Sequence, residues 1–192
     1  MHNNLIKIFY FINEFTNYDF GKLNKNINII YRNYSTNINK DFIIKIRDLC
    51  RSTNRKFYIS YHYKLALKYK LDGIYIPAFD KRQFLNLITS KKLEILGSAH
   101  NLKELKIKEK QGCSTIFLSP IFKVKKSKYF LDIFKYNSLA KNTDKKIIAL
   151  GGINNKNFKK LRLTKSVGFA SISFIKKNGL NKFRPFLNFR QL

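Results

Sequence analysis

The sequence is poor in acid and in cysteine, and it has no long apolar run. Its 192 residues carry 39 lysines and arginines against 11 acidic residues, a formal net charge of +28. Such a balance suits an anionic partner. The basic residues are spread along the whole chain, Lys far outnumbers Arg, and Asn, Ile, Phe and Tyr are abundant as well. This is the signature of AT-rich codons, and the arginines that read guanine are sparse. No nucleic-acid partner is therefore expected, while small anionic substrates remain compatible with the charge. The two cysteines, Cys50 and Cys113, have no motif spacing. They are expected to be buried small hydrophobes in a reducing cytoplasm. With three histidines at unrelated spacings, they make no zinc cluster. No apolar run reaches the ~18 residues of a membrane span. The apolar opening from Leu5 lacks a small-residue cleavage site and reads as a strand. A P-loop and a G-x-S-x-G elbow are both missing, and no G-x-G-x-x-G follows a strand.

What is present is a repeated pattern, clearest in residues 93–122. Leu93, Ile95 and Leu96 form a short apolar strand, and Gly97, Ser98, Ala99 and His100 break it. Asn101 followed by Glu104 resembles a capping box, so a helix starts there and stops at Gly112. A β-branched strand over 115–118 follows. This is a βαβ unit, whose strands run parallel. Further strands are predicted over 5–12, 27–31, 56–60, 74–76, 146–150 and 167–173. Helical segments are predicted near 18–23 and over 41–51, 63–69, 80–90, 131–142 and 155–163. A last helix is interrupted at Gly179 and ended by Pro185. In 41–51, Phe42, Ile43, Ile46, Leu49 and Cys50 share one helix face. In 80–90, Phe84, Leu85 and Ile88 face inward. Eight strand signals alternating with connections predict one domain over 1–192, a compact (β/α)8 barrel. An open doubly wound sheet is the alternative.

Barrel enzymes place their chemistry at the C-terminal ends of the strands, and phosphate is often held after strands seven and eight. Gly151 and Gly152 follow strand seven, and Ile172 and Ser173 end strand eight. Glycine lets a backbone approach an anion, and amides at a helix start can face it. The same pair could be a plain strand-to-helix turn. His100, just past strand five, is a candidate general acid or base, or a local backbone cap. Ser98 is either a ligand hydrogen-bond donor or a small turn residue. Arg32 ends strand two, where it could clamp an anion or lie on the surface. Asp80 could hold magnesium beside phosphates, or cap its helix. Lys126 and Ser127, in the basic loop over 123–128, could close over an anionic substrate or simply be solvated.

Together, GSAH followed by NLKE, then SPIF, IIALGGIN and ASIS, resemble the thiamine phosphate synthase and thiazole tautomerase superfamily. The resemblance runs from about Leu5 to Lys176 and implies a (β/α)8 barrel. The synthases join a pyrimidine diphosphate to a thiazole phosphate and release pyrophosphate with magnesium. The resemblance implies that Gly151, Gly152, Ile172 and Ser173 hold the thiazole phosphate and that Ser98 matches a synthase site serine. His100 matches the acid-base position of the tautomerases. Arg32 matches the arginine of a Gln-x-Arg-x-Lys motif whose flanks here are Ile30 and Tyr34.

Other positions depart from the pattern. Where synthases carry Asn-Asp after strand three, with the Asp a magnesium ligand, this chain has Ser60 and Tyr61. Pro77-Ala78 replaces a Gly-Gln pair, although Asp80 matches the second metal-binding Asp. Residues 123–127 replace a Pro-Thr-x-Ser/Thr-Lys segment. The implied function is an enzyme of thiamine biosynthesis, either a divergent synthase using Mg2+ or a tautomerase needing no cofactor. A non-catalytic thiazole-phosphate binder and a basic anionic-polymer binder are the alternatives. The expected partner is a small phosphorylated thiazole, with no membrane, and a homo-oligomer is compatible.

Overall fold

The computed structural model describes residues 6–13, 23, 26–35, 38–82, 93–125 and 127–178. The strands are β1 (Lys7–Ile12), β2 (Ile27–Tyr31), β3 (Phe57–Ser60), β4 (Gly73–Ile76), β5 (Glu94–Ala99), β6 (Thr115–Leu118), β7 (Lys146–Leu150) and β8 (Gly168–Ser171). Each pairs in parallel with the next, and β8 returns to β1 with Gly168 opposite Lys7, which closes the barrel. Closure excludes the open doubly wound sheet and matches the barrel the strand count predicts. The helices are α1 (Lys40–Ser52), α2 (Tyr63–Lys68), α3 (Leu102–Lys110), α4 (Asp132–Ala140) and α5 (Ser173–Asn178), with a 3-10 helix at Phe158–Leu163. None of the described helices is long and apolar enough to cross a membrane.

The strands are buried on both faces, as parallel strands sheathed by helices must be. Their inward residues form one cluster: Phe9, Phe11, Ile30, Tyr58, Tyr75, Leu96, Phe117, Ile148 and Ala170. Aromatic rings do most of the filling and meet edge to face. Phe9 lies 5.0 Å from Phe117, and Phe11 lies 5.1 Å from Tyr75, centroid to centroid. At the N-terminal end, the Tyr58 hydroxyl donates to Glu94 Oε2 at 2.8 Å and Lys56 Nζ donates to the same oxygen at 2.9 Å. Burial alone would raise the Glu94 carboxyl, but these two hydrogen bonds together with the charges of Lys56 and Lys7 outweigh it and hold it low. Cys50 and Cys113 are free and buried, as expected of small hydrophobes, and burial pushes both thiols up to about 12.

Several boundaries differ from expectation. β5 does not break at Gly97 but continues through Ser98 and Ala99. The glycine serves close packing here. A Cβ on Gly97 would lie 2.6 Å from Cys113 Sγ and 2.9 Å from Lys108 Cδ. β8 ends at Ser171 and Ser173 already opens α5, so Ile172 and Ser173 are not strand residues. The helix expected over 155–163 is a 3-10 segment that begins at Phe158. Most of the helical segments expected near 18–23 and over 80–90, with Phe84, Leu85 and Ile88, lies outside the described residues, as do Gly179 and Pro185.

Gly97 makes room for an unexpected interior charge. Lys108, on α3, has no exposed surface. Its ammonium donates to Pro77 O and Asp80 O, each at 2.7 Å, and to Gln111 Oε1 at 2.8 Å. Three acceptors match the three N–H bonds of an ammonium. Gln111 Nε2 donates to Asp80 O at 3.0 Å and Arg82 O at 2.6 Å. The turn after β4 is thus held from inside by two side chains of the next βα unit. Burial pushes the Lys108 ammonium down to about 8 from its ordinary 10.5. Below about pH 8 both folded and unfolded chains carry this proton, so its contribution is level. Between about 8 and 10.5 only the folded chain releases it, and stability from this group rises with pH. The stability difference between the native protein and Lys108→Met, from urea titrations, is expected to shift toward the native protein across that window. The limit is about 1.4 kcal/mol per pH unit. A flat difference would mean that Lys108 titrates as an ordinary lysine.

Candidate functional site

The C-terminal ends of β2, β4 and β5 meet at the barrel mouth around Tyr75. Arg32 continues the β2 ladder, its amide donating to Ile12 O at 2.8 Å. Its guanidinium carbon lies 5.9 Å from the Phe11 ring centroid, and its Nε donates to Asn13 Oδ1 at 3.1 Å. Ser98 is buried. Burial raises the Tyr75 hydroxyl, while Ser98 and the Arg32 charge act on it in the opposite direction. The structure therefore brings Arg32 and Ser98 together across one phenol. Sequence reasoning missed Tyr75. Its signal was the alternation of GIYI, which turns Tyr75 into the barrel. Tyr34 joins the group through its coupling to Arg32 and the edge of Phe79, 5.4 Å away. Ser60, directly opposite Tyr75 in register, is fully buried, and its hydroxyl has no hydrogen-bond partner among the described residues.

His100 stands at the same edge, immediately beyond β5. Asn101 caps α3 as predicted, its Oδ1 accepting from Glu104 N at 2.9 Å. The Glu104 carboxylate reaches back, but not to Asn101. Its Oε2 accepts from His100 N at 2.7 Å and lies 2.8 Å from His100 Nδ1. A carboxylate on Nδ1 favours the tautomer with its proton there, and Nε2 then presents a lone pair as a base. Glu104 was legible as a capping residue. Its grip on the imidazole follows from the same i, i+4 spacing.

The ends of β7 and β8 are neighbours, with Leu150 opposite Ala170. Gly151 and Gly152 both lie in the left-handed region, at φ +92° and +71°. Side chains would also collide there. A Cβ on Gly151 would lie 2.8 Å from Pro120 Cβ, and one on Gly152 would strike Phe122 O. Asn154 and Asn157 donate their side-chain amides to Gly152 O at 3.2 and 2.8 Å, which fixes the turn. Across from it, Ile172 and Ser173 are exposed at the start of α5, where Ser171 Oγ accepts from Phe174 N at 3.2 Å. The four residues expected at a phosphate thus share one corner of the edge. Described residues of the basic loop are tied to one another. Val124 and Ser127 form an antiparallel bridge, and Ser127 Oγ donates to Tyr129 O at 2.9 Å. Lys126 lies outside the described residues.

Asp80 is 5% exposed, and its carboxylate is already taken. Arg82 Nε donates to Oδ1 at 3.0 Å and Arg82 Nη2 to Oδ2 at 2.7 Å, a two-pronged pair, and the Arg82 amide also donates to Oδ1 at 3.0 Å. Burial would raise this carboxyl, but Arg82 outweighs it and holds it low. The guanidinium carbon sits 4.2 Å from the Tyr61 ring centroid. Tyr61 itself lies at φ +70°, a conformation uncommon outside glycine. Among the described residues no three His, Cys, Asp or Glu side chains gather as metal ligands. Magnesium prefers an octahedron of oxygens with one or two carboxylates. One carboxylate locked in an ion pair, with a phenol ring where a second acid would stand, does not fit it.

The sequence profile of the family described as thiamine monophosphate synthase matches residues 26–175. The thiamine-phosphate synthase of Pelagibacter ubique is 32% identical over 165 residues, covering 82% of this chain and 77% of that protein. The thiamine-phosphate synthase of Prochlorococcus marinus strain AS9601 is 30% identical over 166 residues, covering 81% of this chain. The chain spans only 42% of that protein's length. Among solved structures, thiamine phosphate pyrophosphorylase from Pyrococcus furiosus superposes with a TM-score of 0.71 at 19% identity, covering 89% of this chain and 87% of that one. With more than half its length matched by the profile, the chain belongs to the thiamine monophosphate synthase family.

Proposed function

We propose that this barrel makes thiamine phosphate by joining a pyrimidine diphosphate to a thiazole phosphate at its C-terminal mouth. The observation that carries the reading is the corner formed by Gly151, Gly152, Ile172 and Ser173. Two left-handed glycines bare the backbone there beside an exposed serine. A phosphate monoester suits such a corner, because short backbone approach and hydroxyl donors bind it without a bulky pocket. The thiazole ring would then lie toward Ser98 and Tyr75, and Arg32 would face the developing negative charge of the leaving diphosphate. Ser127 lies on the loop after β6, from which it would approach the same anions. Titration calorimetry is expected to show thiazole phosphate binding, weakened about tenfold or more in Ser173→Asp through like-charge repulsion. Undiminished binding in that variant would remove the corner from the site. Incubation with both substrates is expected to release pyrophosphate and form thiamine phosphate. A lack of product despite thiazole-phosphate binding would sink the synthase reading.

One observation favours a second reading, proton transfer on the thiazole without a cofactor. The Glu104 carboxylate orients His100 as it would a general base. Under this reading, His100→Ala lowers thiazole tautomerisation by about 100-fold or more. Glu104→Gln, which keeps the backbone cap, lowers it less and shifts its pH profile. A tautomerisation rate indifferent to His100→Ala would assign the histidine to structure.

A further inference from the structure

Asp80 and Arg82 form the most unusual charge arrangement at the mouth. The anion faces inward and the cation outward: the Asp80 side chain is 3% exposed and that of Arg82 49%. A nearly buried carboxylate requires a counter-charge close by. A divalent cation is one solution and a guanidinium is another. This chain has the second built in. Both carboxylate oxygens are clamped by Arg82, and Tyr61 lies against the guanidinium. The backbone carrying the pair is fixed from below by Lys108 and Gln111. A metal ion reaching Asp80 would have to break the two-pronged pair, expel the arginine from the tyrosine face, and still find one carboxylate. Neither Ser60 nor Tyr61 offers a second anionic oxygen.

Resting on the reading that phosphorylated substrates bind at this mouth, we propose that Arg82 stands in for the divalent cation. Its clamped, outward guanidinium receives the diphosphate group, and diphosphate binding here does not depend on magnesium. Arginine carries five N–H donors, and the two-pronged pair with Asp80 uses two of them. Clamping by Asp80 and Tyr61 reduces the side-chain freedom lost when the anion arrives. The exposed Lys81 beside it adds charge of the same sign.

The test uses the full chain with inorganic pyrophosphate as the probe. Calorimetry is expected to give binding in EDTA at least as tight as in excess magnesium. Arg82→Gln is expected to weaken it tenfold or more, and Arg82→Lys to recover part of the loss. Electron paramagnetic resonance with Mn2+ is expected to show no bound ion on the native protein. The proposal is overturned by pyrophosphate binding that requires magnesium or is absent in both buffers. It is equally overturned by affinity unchanged in Arg82→Gln, or by bound Mn2+ that Asp80→Asn releases. Thiazole phosphate titrated in parallel separates the two ideas. Its failure to bind strikes the reading of the phosphate corner, whereas its binding alongside magnesium-dependent pyrophosphate binding strikes Arg82 alone.

Discussion

Barrel closure is the constraint on which the rest depends. Once β8 pairs with β1, the interior has a fixed width, and the residues pointing into it must fill that width. Here Phe9, Phe11, Tyr58, Tyr75 and Phe117 do most of the filling, against the small Ala170. Aromatic rings fill the middle, and polar groups lie toward the two ends. At one end Glu94 gathers Lys56 and the Tyr58 hydroxyl. At the other, Tyr75 carries a phenol up to the mouth, where Ser98 and Arg32 surround it. The polar rim thus follows from how the centre is filled.

The same closure explains the role of Lys108. A helix packed on a barrel strand can come close only where the strand has no side chain, and Gly97 supplies that place. The methylenes of Lys108 occupy the contact, and its ammonium emerges beneath the turn after β4. One glycine in β5 therefore governs the geometry of Asp80 and Arg82, which lie in another βα unit. Positioning at this mouth passes through the helix layer as well as through the strands that bear the side chains.

The sequence revealed what periodicity and short-range chemistry encode. Eight apolar runs located eight strands, because strands buried on both faces are apolar throughout. Asn101 announced its helix because a cap is a local bond. The glycines after β7 were legible because only glycine accepts their backbone angles without cost. What escaped was the product of contacts distant in sequence. Gly97 looked like a strand breaker, since nothing nearby tells that Cys113 and Lys108 press against it. The burial of Lys108 has no local signal either, since its three acceptors lie on a turn of another unit and on Gln111. Ser173 looked like the end of a strand, because a strand running into a short helix leaves no local signal at the join.

Asp80 shows how far a family pattern can be carried. By the resemblance it matches a metal-binding acid, and the match says nothing of what its oxygens meet. Here they meet Arg82, two residues on, close enough in sequence for the pairing to need no long-range luck. Tyr61, where the resemblance implies an acid, is then not an isolated difference. An aromatic face is what an arginine seeks and what a magnesium ion cannot use. The two departures support each other. A lone acid would be left with too few partners to hold a metal, whereas an acid, an arginine and a tyrosine form a complete charge-compensated unit. The charge of Asp80 is therefore balanced from within, and the cation that offsets it is covalently part of the chain.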